Sequence, residues 1–345
     1  MLSMNSKIRI ARNTPRNILG AVAGAACVLA AAAAMAQDAG SGNAAPATVA
    51  VSVKPRPAEI MPRAAQALIM GVADTGEHLI AVGDHGEILA SNDGRSWAQL
   101  QVPVSSALSA VSFADAQDGW VVGHDAVILH TGDGGKTWGL QNFQPELEKP
   151  FLSVLALDKD HAYAVGAYGL FYQTSDGGGT WSEVKADAVR GDELHLYSIR
   201  KLGDGALFVA GEQGLLGMSA DGGKTWSKLK SPYEGTFFGA VPVGPKGVLV
   251  CGLRGNAYLS TDPKGGQWKK IDTTAQTSLF GCEKVDDKTV AMVGLNGIIQ
   301  IVDTASGTAR NLKSPGDTPY SDVVPFKGGL VLVGESGIQH VDSLQ

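Results

Sequence analysis

The octapeptide "TGDGGKTW" (Thr131–Trp138) returns nearly unchanged as "SADGGKTW" (Ser219–Trp226), and "TSDGGGTW" (Thr174–Trp181) lies between them. Each copy opens on Ser or Thr, sets an Asp two residues on, and closes on Thr-Trp. An Asp side chain bonds amides of its own turn, glycine accepts positive φ, and Trp buries a large surface. The segment therefore reads as a self-capped hairpin anchored by its Trp. Shortened and stretched forms occur at "SNDGRSW" (Ser91–Trp97) and "STDPKGGQW" (Ser260–Trp268). The structural aspartates are thus Asp93, Asp133, Asp176, Asp221 and Asp262. A further unit, "VDTASGTARNL" (Val302–Leu312), keeps only Asp303.

The hairpins punctuate a longer period. Each unit has a short apolar strand, a hairpin, a strand ending in Gly, a two-residue turn, a third strand and then the Asp hairpin. The turn glycines are Gly83, Gly123, Gly166, Gly211, Gly252, Gly294 and Gly334, spaced by 40 to 45 residues. Short strands at that period are the signature of propeller blades. The expected fold is an all-β, seven-bladed β-propeller over residues 48–345, a single domain. The last unit lacks a Trp strand. The alternating stretch "TVAVSVKP" (Thr48–Pro55) is expected to supply its missing edge and close the ring.

Residues 1–36 read differently. Lys7, Arg9, Arg12 and Arg16 precede the run "ILGAVAGAACVLAAAAA", which ends at Ala34-Met35-Ala36. This is the pattern of a cleaved secretory signal. The run is short for a membrane span, and Cys27 lies within it, without the Leu that a lipid-attachment site requires. Residues 37–47 are Gly/Ala/Ser/Pro-rich and read as a flexible leader. The expectation is export, to the periplasm or the periplasmic face of the inner membrane. Without the signal, 24 basic residues face 34 acidic ones. Nucleic acid, which needs a basic face, is excluded as a partner. Nothing in the pattern calls for self-association, so a monomer is expected.

Chemistry needs convergence, and the Asp hairpins are spread around a rim. A sialidase-like hydrolase or a sugar-binding propeller is the alternative reading. The hydrolase would need three arginines on one carboxylate and a Tyr nucleophile. Beyond the signal there are seven arginines, of which only Arg200 and Arg254 fall near the axis. No catalytic residue is assigned. The turn pairs Asp84-His85 and His124-Asp125 fall in neighbouring blades, but they read as polar turns in water, and no metal or cofactor is expected. Cys251 and Cys282 occupy small apolar positions of adjacent blades. Two buried thiols and a disulfide both fit them.

The seven-fold turns, the Asp hairpins and the run "GTFFGA…CGLRGNAYLSTD…SLFGC" make the chain resemble the propeller family of photosystem II assembly factors and their relatives in non-photosynthetic bacteria (Asp-box, or BNR-repeat, proteins). The resemblance covers residues 58–345. It implies a non-enzymatic platform that docks on a membrane protein of the cell envelope. In the bacterial relatives a transporter of the resistance-nodulation-division class is the expected partner.

The segments entering the first strand of each blade, "SAL", "PFL", "HLY", "TFF", "SLF" and "TPY", are each followed by Ser or Gly. Most of their apolar residues serve packing between blades. Those left over form an aromatic rim at the channel mouth. The expected partner-binding residues are Arg254, the cation of the turn ring, with Tyr233, Phe237, Phe238 and Phe280 around it. Aromatic residues and Arg are the usual composition of an interface hot spot.

Overall fold

The structure, a computed structural model, describes residues 53–344. The expected signal and leader lie outside the described residues. Within them, seven antiparallel sheets follow one another along the chain, each with its strands in sequence order. Six sheets have four strands and the last has three. The innermost strands are Ile69–Asp74, Leu108–Phe113, Phe151–Ala156, Leu196–Lys201, Phe237–Val243, Leu279–Lys284 and Tyr320–Phe326. Each packs against its two neighbours, and the last meets the first, so the ring is closed. This is the seven-bladed propeller that the repeat predicts.

Second strands such as Leu79–Gly83 and Leu207–Gly211 are buried throughout, as strands covered on both faces must be. Apolar clusters fill the seams between blades. One of them joins Phe208, Phe237 and Tyr258 across blades 4 and 5. The opening octapeptide takes the expected form. Thr131 donates to Asp133 (2.8 Å), and Asp133 accepts from the amide and hydroxyl of Thr137 (2.9 and 2.6 Å). The Trp138 indole donates to the Gly135 carbonyl (3.1 Å). Asp176 and Asp221 repeat the carboxylate pattern. Asp93 caps a shortened hairpin, and Asp262 caps a single 3-10 turn through the Gly265 amide. Asp303, in the degenerate copy, still accepts from the amides of Ala305 and Ser306.

Closure takes a form the sequence reading did not anticipate. Residues 48–52 of the expected closing strand lie outside the described residues, and residues 53–55 form no strand. Beyond them the chain runs along the outer strand of blade 1. Ala58 donates to the Val102 carbonyl (3.1 Å), and Met61 donates to the Gln99 side chain (2.7 Å). A short turn at Ala64–Gln66 then packs against the last strand, Gly337–Val341. Across the final seam, the Ser321 hydroxyl donates to the Ile69 carbonyl (2.7 Å) and the Val72 amide to Asp322 Oδ2 (3.2 Å). Lys327 and the Arg95–Asp342 ion pair reach across its rim. Among the described residues the ring is therefore closed by side-chain bonds and apolar packing, with three strands in the last blade.

Candidate partner-binding site at the channel mouth

Each innermost strand carries a β-bulge one residue after it begins. A bulge leaves one residue unpaired and re-aims its side chain. The seven unpaired residues are Met70, Ser109, Leu152, Tyr197, Phe238, Phe280 and Ser321, and all seven line one axial cavity of about 340 Å³. They sit where the turns between second and third strands lie, so this is the turn-face mouth of the channel. Large side chains from blades 3 to 6 (Leu152, Tyr197, Phe238, Phe280) form one arc of the mouth. Smaller or flexible ones (Ser321, Met70, Ser109) form the other.

The arc is a continuous run of edge-to-face rings. Phe280 meets Phe238 at 5.3 Å between centroids, Phe238 meets Tyr197 at 5.0 Å, and Tyr197 meets His195 at 6.0 Å. His195 meets Tyr168 at 4.7 Å, and the Lys149 ammonium lies 5.8 Å from the Tyr168 ring centre. Such pairs are worth about 0.5–1.5 kcal/mol each beyond area burial, so the run is stiff as well as apolar. His195 is also fixed by Glu212, whose Oε2 lies 3.2 Å from its Nδ1. Burial, with the Glu212 charge beside it, pushes the Tyr197 phenol up, so Tyr197 is neutral here. Tyr168, 52 % exposed, carries the run out to solvent.

Tyr168 owes its exposure to the turn. The second turn residue is left-handed in five blades: Asp125, Tyr168, Gln213, Arg254 and Asn296 have φ between 52° and 59°. Non-glycine residues pay for that region, and such outliers gather at functional surfaces. Arg254 is exposed on its turn, and that turn packs against the strand bearing Phe280.

Of the five residues expected to bind a partner, Phe238 and Phe280 line this mouth, and Arg254 is exposed on the turn packed against the strand bearing Phe280. Phe237 and Tyr233 do not line it. Phe237 is 0 % exposed, in the seam between blades 4 and 5, and Tyr233 packs on it at 5.9 Å and on Tyr258 at 6.3 Å. The bulge decides this: Phe237 is paired with Gly252, whereas Phe238 is left unpaired and lines the cavity. Tyr197, Tyr168 and His195 were not singled out, although "HLY" stands in the same register as "TFF" and "SLF". In blades 2 and 7 the register differs by one, so Ser109 and Ser321 themselves take the mouth positions.

Deeper in the channel the lining becomes polar. Arg200, Asp322 and Glu283 line its lower half. Burial pushes Asp322 up to about 6, against the amides of Val323 and Val72 that favour its carboxylate; Glu283 adds to the rise and Arg200 opposes it. Nearer the mouth, the Ser109 and Ser198 hydroxyls are buried without a hydrogen-bond partner. Three of the other arginines are occupied elsewhere: Arg95 with Asp342, Arg190 with Glu183 and two carbonyls, Arg310 with the Leu344 carbonyl. Cys251 and Cys282 are free, buried thiols. Both sulfurs lie within 3 Å of where a Cβ on Gly239 would stand.

The sequence profile of the family described as "Photosynthesis system II assembly factor YCF48" matches residues 89–151 and 141–320. The chain is 39% identical over 46 residues to the photosystem II assembly protein Ycf48 of Thermosynechococcus vestitus, a stretch covering 13% of each protein. It is 40% identical over 50 residues to the chloroplastic photosystem II stability/assembly factor HCF136 of Guillardia theta, covering 14% of this chain and 13% of the relative. The chain thus matches about an eighth of the length of these curated relatives. Among solved structures, YCF48 bound to D1 peptide superposes with a TM-score of 0.64 at 19% identity, over 84% of this chain and 96% of that one. YCF48 from Cyanidioschyzon merolae gives 0.65 at 19% identity, over 82% and 97%. The WD40 propeller of Doa1 gives 0.65 at only 10% identity, over 85% and 97%. The structural likenesses speak for the fold.

Proposed function

This chain belongs to the family of the photosynthesis system II assembly factor YCF48, and from that premise we propose that it is an exported, non-enzymatic assembly or accessory factor. It works in the periplasm, peripheral to the inner membrane, and its turn face docks on a membrane protein of the envelope. The observation that carries this reading is the aromatic arc from Tyr168 to Phe280, half-buried side chains that the seams do not use. The occupant it suits is an extended apolar segment leaving a membrane domain. Rings at fixed separations grip such a segment, and Arg254 at the rim engages an acidic group beside it. A relative solved with a D1 peptide bound supports a peptide segment as ligand. The specific partner we propose is a transporter of the resistance-nodulation-division class.

The test is capture from detergent-solubilised envelope membranes by residues 37–345. Phe238→Ser/Phe280→Ser should abolish capture of the membrane partner while the far-UV spectrum stays that of a propeller. Arg254→Glu should weaken capture and alter its salt dependence. Capture unchanged in both variants would place docking on another face. A captured partner that is no transporter would retain the docking role and remove the transporter.

A further inference from the structure

The seven turns are repeats of one another, so each serves as a control for the rest. Two positions after the turn pair, five blades place an aliphatic side chain: Val127, Leu170, Leu215, Ile298 and Ile338. Blade 5 has Asn256 there, and blade 1 has Glu87. The position is a packing position, since Val127, Leu170 and Leu215 are all buried. Glu87 is buried as completely, 0 % exposed. Its Oε2 accepts from the His85 amide (2.6 Å), but its Oε1 is buried without a hydrogen-bond partner. A carboxylate taken out of water needs compensation that an aliphatic residue does not. The fold manages without it in the other blades, so the compensation points to a ligand.

The neighbours identify the ligand's chemistry. His85 Nδ1 lies 3.6 Å from Glu87 Oε1 and 2.7 Å from Asp84 Oδ1. One donor atom from each of Asp84, His85 and Glu87 falls within 4.8 Å of the others. Zinc bonds imidazole nitrogen and carboxylate oxygen at about 2.0–2.2 Å, which sets tetrahedral donors roughly 3.4 Å apart. The His–Glu separation already matches that spacing. The His–Asp pair opens to it by rotation of a ring whose side chain is 68% exposed. One imidazole with two carboxylates favours a zinc-class ion over magnesium or calcium, which take oxygen alone. All three donors come from blade 1; in the next blade Asp125 accepts from the Ser106 hydroxyl (2.5 Å). Gly83 makes room for the Glu87 carboxylate: a Cβ there would stand 2.9 Å from Oε2.

We propose that Asp84, His85 and Glu87 form a three-donor site for a zinc-class divalent cation on the turn face of blade 1, with its remaining coordination position open to solvent. Such a cation neutralises the buried carboxylate and leaves one position for a ligand from a docked partner.

The test uses residues 37–345 without a tag, stripped with chelator. Zinc chloride titrated by calorimetry should bind at one equivalent and raise the melting temperature. Cobalt chloride should bind with visible d–d bands, and magnesium chloride should not compete. Glu87→Gln and His85→Ala should each weaken zinc binding at least ten-fold with the far-UV spectrum unchanged. Glu87→Leu, which restores the residue type of the other blades, should melt at or above the metal-free wild type and bind no zinc. No stoichiometric uptake by the wild type would overturn the site, as would undiminished binding in both Glu87→Gln and His85→Ala. A Glu87→Leu protein melting below the metal-free wild type would show that the carboxylate serves the fold, and would overturn it too.

Discussion

Phe238 and Phe280 meet edge to face, with centroids 5.3 Å and planes 69° apart, although they belong to different blades and lie 42 positions apart in sequence. They meet because each is the bulged residue of its innermost strand. Their neighbour Phe237 differs by one position in sequence and by everything in environment.

That difference is measurable as stability. Phe237→Ala removes a ring from a closed seam and should cost about 3–5 kcal/mol. Phe238→Ala removes a partly solvated ring and should cost less than half as much. Urea unfolding of the two variants checks the order, and equal losses would contradict the assignment of Phe238 to the mouth.

The Asp hairpins predict behaviour in acid. The Thr225 hydroxyl and amide, with the Ser219 hydroxyl, hold Asp221 at about 2, against 3.8 for a free aspartate. Asp133 is likewise held at about 2, where burial would raise it but its bonds from Thr137 and Thr131 outweigh that. A folded-state pKa below the unfolded one gives stability that is complete above about pH 4 and lost as pH falls through 2. Melting temperature should therefore fall steeply between pH 4 and 2. In Asp133→Asn/Asp221→Asn the protein should start less stable at pH 5 and lose less on acidification.

Asp322 has the opposite sign. Raised by burial to about 6, it favours the folded state below pH 4, and that contribution is lost as pH rises through 6. His130 and His340, both lowered chiefly by burial, titrate against it in part of this window, so the comparison must be with a variant. Relative to wild type, Asp322→Asn should gain about 1–2 kcal/mol on moving from pH 4 to pH 8. Parallel pH profiles from chemical denaturation would mean that Asp322 ionises in the folded protein as it does in the unfolded chain.

For the cysteines, the expected outcome is two thiols. Cys282 is raised well above its ordinary value by its hydrogen bond with Cys251 and by burial, so it carries little thiolate. Reactivity follows the thiolate. Residues 37–345 should resist a thiol reagent when native and take two equivalents when denatured without reductant. No uptake after denaturation would reveal a disulfide.

Legibility followed the range of the interactions. The hairpins and turns were readable because their demands are local: an Asp for amides four residues away, a Gly where the chain turns back. Closure was less so: among the described residues it rests on Ser321 meeting Ile69 and Asp322 meeting Val72, pairs some 250 positions apart. The mouth was half legible. "TFF" and "SLF" gave its chemistry, but alternation alone cannot say which Phe faces inward when a bulge shifts the register. Tyr233, in a loop rich in Pro and Gly, read as exposed, and packs instead between Phe237 and Tyr258. Glu87 was passed over because a lone acidic residue after a turn has nothing unusual about it until its burial is known.

The bulge also separates two tasks that a regular strand would confound. Every blade contributes one residue to the channel mouth that takes no part in its ladder pairing. Such a ring behaves like a seven-position dial. A change at Met70, Ser109 or Leu152 reshapes the mouth and leaves the seams as they are, so under the proposed docking role new specificities are within reach of single substitutions on an unchanged scaffold.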